Sequence, residues 1–161
     1  TTQISGLDHL EGREINFIID GSPSGVATVA GGIAILPVTA NSTVIFGLNF
    51  IPRVETQPVK TQLPNGTSIG RKKRIIDVNV SLVDTTFIEV GTNGSKPQFV
   101  PFKNLGDDLL DSSLESFAFT GSKRIPGQFG WVDEASVVIT QSIPGKMTVR
   151  AITKTIATTS S

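Results

Sequence analysis

Glycine and proline recur so often along this chain that no long regular element fits between them. Sixteen Gly and nine Pro divide 161 residues into short segments rich in Val, Ile, Thr and Phe. None of these segments sustains an apolar period of 3.6 residues. An amphipathic helix needs that period, whereas a strand needs only alternation or a brief apolar run. The sequence therefore predicts an all-β fold.

The stretch Glu14 to Asp20 alternates, with Ile15, Phe17 and Ile19 on one face. Ile33 to Leu36 and Thr43 to Leu48 follow, each bounded by Gly or Pro. Three or four short strands fit before residue 50, enough for a small N-terminal β-barrel or sheet over residues 1–52. Pro52, Pro58 and Pro64 then punctuate a polar stretch, read as an extended linker over 53–72. The clearest strand is Lys73 to Thr85, where Ile76, Val78, Val80 and Leu82 alternate with Asp77, Asn79, Ser81 and Val83. It opens an antiparallel β-sheet or sandwich over 73–156. Strands beginning at Lys73, Glu115, Ala135 and Lys146 are expected to share one sheet. The last two are expected to close it as a hairpin through Ser142-Ile143-Pro144-Gly145. Gln98 to Phe102 is a weaker strand, and Asn104 to Ser113 a polar loop or single helical turn. Asn65-Gly66 and Asn93-Gly94 are turn signals, because both residue types tolerate positive φ. The tail 157–161 has too little apolar content to order itself and should fray.

Composition narrows the function classes. At 38% hydrophobic and 17% charged residues, the chain is too apolar for a disordered tail. Fourteen Lys and Arg balance fourteen Asp and Glu, so no global field recruits nucleic acid or anionic lipid. No apolar run approaches the roughly 18 residues of a membrane helix, so a soluble chain with no membrane insertion is expected. The opening Thr1-Thr2-Gln3, without Met or a charged-then-apolar leader, reads as a piece of a longer polypeptide rather than a processed product. The absence of Cys excludes a disulfide framework, a thiolate nucleophile and cysteine-ligated metal.

The single His limits the remaining chemistry. His9 and Glu11 form a His-x-Glu pair of the kind zinc deaminases use, but the Cys ligands are missing. No Gly-x-Ser-x-Gly elbow is present. Asp8, His9, Glu11 and Gly12 are therefore read as a structural turn, in which Asp8 accepts backbone N–H groups, His9 bridges and Gly12 takes positive φ. Gly66 to Arg71 lacks the spacing and the Lys-Ser/Thr pair of a phosphate loop. Asp107, Asp108, Asp111 and Glu115 cluster in sequence, without the alternating ligands and central Gly of a calcium loop. Asn41, Asn65, Asn79 and Asn93 begin Asn-x-Ser/Thr triplets, which matter only in a secreted eukaryotic protein. Arg71-Lys72-Lys73-Arg74 is the one charge run, suited to phosphates or to carboxylates across a subunit interface. It is equally a gatekeeper that keeps the following apolar strand from pairing with a stray chain, and this use is favoured. No catalytic activity, metal or cofactor is expected.

Three stretches carry a family resemblance: Gly6-Leu7-Asp8-His9-Leu10-Glu11-Gly12, Gly70-Arg71-Lys72-Lys73-Arg74-Ile75, and Gly130-Trp131 followed by Val137-Val138-Ile139-Thr140-Gln141 and Pro144. In this order the chain resembles the C-terminal region of the tail tubular, or nozzle, proteins of short-tailed bacteriophages. Phe119-Thr120-Gly121 before Lys123-Arg124 is similar as well. The family's acidic pair is missing from Gln141-Ser142-Ile143-Pro144. The resemblance implies a homo-oligomeric ring, usually of six subunits, in the virion tail beneath the portal and adaptor. Such a ring encloses the channel through which genomic DNA is packaged and ejected, without sequence-specific binding. The alternative is a receptor- or carbohydrate-binding β-domain of a tail fibre or spike. In that reading Phe46, Phe50, Phe99, Phe102 or Phe129 would stack on sugars, although Tyr is absent and Trp131 is the sole Trp.

Overall fold

A computed structural model describes residues 2–60, 62–64, 66–102, 118–127 and 130–159. It is nearly all β, with several antiparallel sheets and no α-helix among the described residues. The acidic cluster at 107–115, the loop expected at 104–113, Asn65, Phe129 and the start of the strand expected at Glu115 lie outside those residues. The chain divides into two compact units. The described residues of the first are 2–51 and 142–145, and the second takes the rest.

In the first unit, β1 (Gln3–Ser5), β2 (Glu14–Ile19), β3 (Ser22–Thr28), β4 (Ile33–Ile35) and β5 (Val44–Gly47) form two small antiparallel sheets, ordered β1-β4 and β3-β2-β5. The alternation in β2 sends Ile15, Phe17 and Ile19 inward, where they meet Leu7, Val29, Ala34, Leu36 and Ala40 in one core. At the β3 edge a bulge near Gly25 and the presence of Pro23 interrupt the ladder, which is why the sequence there does not read as a strand.

The second unit contains β6 (Arg53–Glu55), β7 (Gln62–Leu63), β8 (Gly66–Thr67), β9 (Lys73–Thr85), β10 (Ile88–Thr92), β11 (Gln98–Val100), β12 (Phe119–Pro126), β13 (Val137–Thr140) and β14 (Val149–Thr158). Sheets ordered β11-β10-β13-β6 and β12-β9-β14 share one core. In it Ile75, Val78, Val80 and Leu82 of β9 meet Ile88, Val90, Val137 and Ile139. β7 and β8 form a separate two-stranded ladder. At the Asn93-Gly94 turn, the Ser95 N–H donates to the Thr92 carbonyl at 3.0 Å and Gly94 has φ +86°.

Four expectations change. Ile76 is 45% exposed and Ile75 takes its place in the core, because the β9/β14 register slips there and a bulge turns Ile76 outward. β13 and β14 do not form a hairpin: β13 bonds to β10 and β6, and β14 to β9. The physical reason is visible in Val137-Val138-Ile139, a run without alternation that suits a strand covered on both faces, and every residue of β13 is buried. β13 therefore does not join the sheet built on β9. The linker read at 53–72 begins as β6, with Val54 opposite Ile139. The tail expected to fray is held as far as Thr159, whose N–H donates to the Lys72 carbonyl at 3.1 Å, because the start of β9 needs a neighbour on that side.

Candidate functional site

The block Leu7 to Gly12 folds as one 3-10 turn, Asp8–Leu10, wedged beside the chain that leads into β4. Leu7 is buried; its N–H donates to the Gly32 carbonyl at 2.9 Å, and the Gly12 N–H donates to the Val29 carbonyl at 3.0 Å. The acceptor role expected of Asp8 belongs to Glu11. Its two carboxylate oxygens receive the N–H groups of Gly31 and Gly32, each at 2.9 Å. Those two bonds, Gly32 first, hold the Glu11 carboxyl below the ordinary carboxylate range. Asp8 instead lies over Gly32, where an added Cβ would stand 2.5 Å from its Oδ1. His9 is exposed, and its ring bridges nothing among the described residues.

Gly12 has φ +71°, in the left-handed region. Space beside it is open, so a side chain there meets backbone strain alone. Gly12→Ala is expected to cost about 1 kcal/mol, read as a lower thermal unfolding midpoint. An unchanged midpoint would show that the turn relaxes without penalty.

A second carboxylate with the same use sits at the β2–β3 corner. Asp20, at φ +49°, accepts the N–H groups of Asn41 at 3.0 Å, Ser42 at 2.9 Å and Thr43 at 2.8 Å. These bonds, with Asn41 first, lower its pKa. Both carboxylates have folded values below their unfolded ones, so their stabilisation is present above the ordinary carboxylate range and disappears as pH falls through the folded values. Thermal melts from about pH 7 to about pH 3 should show progressive loss of stability in the first unit. Glu11→Gln with Asp20→Asn should flatten that slope; a slope identical to wild type would exclude these two groups as its source.

The basic run does not form one patch. It enters β9 at Lys73, and strand alternation sends that side chain inward with Ile75, leaving Lys72 and Arg74 exposed and Arg71 half-buried. Lys73 is 3% exposed, and its Nζ donates to the carbonyls of Asp133 at 3.0 Å and Arg71 at 3.3 Å. The expectation of a solvent or subunit boundary therefore fails for Lys73. Alternation counted back from Val78 would place Arg74 inward instead; the bulge at Ile76 reverses the faces and brings Lys73 in with Ile75, so no local pattern signalled it.

Other polar groups of the second unit also brace main chain or each other. Lys154 Nζ donates to the Gln57 carbonyl at 2.7 Å, Thr56 Oγ1 at 2.9 Å and the Ala135 carbonyl at 3.4 Å, and burial lowers its pKa. Asp77 accepts from Arg124 at 2.8 Å and from Thr155 Oγ1 at 3.0 Å, and these bonds lower its pKa. The buried Gln141 amide donates to the carbonyls of Phe87 and Lys146. Among the described residues, no three His, Asp or Glu side chains are grouped to hold a metal ion. None of the helices there is long and apolar enough to cross a membrane. No protein-family model matches the chain, and no curated protein matches it significantly.

Proposed function

We propose that this chain is a structural component of a bacteriophage tail nozzle. It is one copy in a homo-oligomeric ring, taken as six subunits, beneath portal and adaptor proteins in the virion tail. The ring lets genomic DNA pass without sequence-specific contact, and the reading includes no catalytic step, metal or cofactor. One observation carries it: in each of the three blocks that resemble nozzle proteins, one polar side chain braces the fold. Glu11 holds the Gly31-Gly32 main chain, Lys73 holds two carbonyls, and Gln141 holds two more. Polar groups committed in this way suit a scaffold, because each of these three is fixed against main chain. A formal net charge of zero also suits a conduit, since tight phosphate binding repeated around a ring would add drag to DNA.

The exposed rings of Phe50 and Phe99, 77% and 61% accessible, favour the second reading, a receptor- or carbohydrate-binding domain of a tail fibre or spike. Negative-stain microscopy of the parent particle, with a label on this chain, separates the two. A collar of density on the tail axis is the expected result. Label at the tail periphery would overturn the nozzle reading in favour of the fibre.

A further inference from the structure

Among the described residues, the edge strands are defended, with one exception. β12 carries Lys123, Arg124 and Pro126, and β14 carries Arg150 and Lys154. β3 is interrupted by Pro23 and a bulge, and the Ser24 hydroxyl bonds the Ser22 carbonyl at 2.9 Å. β1, β4, β6, β7, β8 and β11 are two or three residues long. Charge, proline, bulges and shortness are the devices by which an edge avoids pairing with another chain. β5, at the edge of β3-β2-β5, has none of the first three, and no charged residue occurs from Asn41 to Ile51. Along this stretch Ile45 is 58% exposed, Phe46 40%, Leu48 57%, Phe50 77% and Ile51 64%.

The ladder fixes which main-chain groups are open. The Asp20 N–H donates to the Thr43 carbonyl at 2.8 Å, and Ile45 and Gly47 continue the alternation toward β2. The N–H and C=O groups of Val44 and Phe46 therefore point to the open edge. Phe46 stands opposite Phe17 on the core side, with ring centroids 6.4 Å apart, so the exposed part of its ring marks where the core lacks a neighbouring strand.

We propose that β5 pairs antiparallel with β5 of a second copy of this chain, joining two three-stranded sheets into one. Charge selects this occupant. A strand that pairs antiparallel with itself sets like residues about a two-fold centre, so any charge would meet its own kind, and β5 has none to oppose. Within a second copy the other long edges carry cations, proline or a bulge, which leaves β5 as the matching surface. The open groups of Val44 and Phe46 place the centre at Ile45. Val44 then bonds the partner's Phe46, and Ile45 lies opposite the partner's Ile45. If the flanking Leu48, Phe50 and Ile51 are covered along with Ile45 and Phe46, at roughly 100 Å² each, two copies bury at most on the order of 1,000 Å², the lower bound for a specific interface. The pairing is two-fold, so it joins free chains or two rings face to face and is not the head-to-tail contact within one ring; its failure leaves the nozzle reading untouched.

The chain has no Cys, so Ile45→Cys introduces a single thiol. A non-hydrogen-bonded antiparallel pair brings Cα atoms to about 4.5 Å, within disulfide reach. Mild oxidation should link Ile45→Cys into a covalent dimer, while Val38→Cys, on a residue 57% exposed in the same unit, should stay largely monomeric. By analytical ultracentrifugation the wild-type chain should be dimeric. Ile45→Lys should weaken the dimer at least about tenfold while leaving the unfolding midpoint unchanged at concentrations low enough for both chains to be monomeric, because Ile45 faces away from the core. A monomeric wild-type chain at about 100 µM would overturn the proposal and point to another polypeptide as the occupant. Equal cross-linking of the two Cys variants, or an assembly that Ile45→Lys leaves intact, would overturn it as well.

Discussion

Phe17→Ala is expected to unfold the first unit of the protein. Phe17 is fully buried in the central strand of β3-β2-β5, and among the described residues no other in that core is as large. Removing such a ring costs about 3–5 kcal/mol through lost burial and the cavity left behind. A unit of about 70 residues, stable by roughly 0.05–0.15 kcal/mol per residue, has about 3–10 kcal/mol in total, so the loss consumes much or all of it. Amide hydrogen exchange should show β2 unprotected in the variant and β9 still protected. Retained protection in β2 would mean that the surrounding side chains collapse into the cavity.

Two adjacent lysines should give opposite outcomes. Lys73→Ala removes a buried side chain and the donor to two part-buried carbonyls, at a cost of about 1–3 kcal/mol. Lys72 is exposed, and only its main-chain carbonyl accepts a bond, from the Thr159 N–H, so Lys72→Ala should change stability by less than about 0.5 kcal/mol. Chemical denaturation of both variants checks the pair. Equal effects would show that the buried amine does not hold the chain entering β9. Variants that probe the charge of this run should leave Lys73 in place, since its loss acts through folding.

The parts of the fold legible in the sequence are those where a local pattern meets one neighbour on each side. β2 follows its alternation residue for residue, and β9 does so except at Ile76 and at its end, where Asp84, at φ +46°, turns out and Thr85 turns in. The bulge at Ile76 depends on the register of β14, about eighty residues further along, which no local pattern contains. The hairpin expected at Ser142–Gly145 rested on sound turn residues, but the doubly buried Val-Val-Ile run of β13 outweighed them. In the turn at residues 7–12, the special backbone of Gly12 was readable. The choice of Glu11 over Asp8 as acceptor was not, because the Gly31 and Gly32 N–H groups arrive from some twenty residues away. Asp20 escaped notice for the same reason. Asp-Gly marks a corner, while the loop its carboxylate captures is chosen by the packing of the unit.

The central place of β9 sets an order of events for a chain made from its N-terminus. Both of its neighbours, β12 and β14, are encoded after it, and the second ends at Thr158. At translation rates of about 5–20 residues per second, an apolar strand of this kind emerges and waits several seconds, roughly 4 to 15, before its sheet can close. During that interval both of its edges are open to any nascent chain nearby. The cations at its leading end are grouped beside it in the sequence, and a gatekeeper role for them would be exerted on the ribosome-bound polypeptide, before the finished protein has a surface at all.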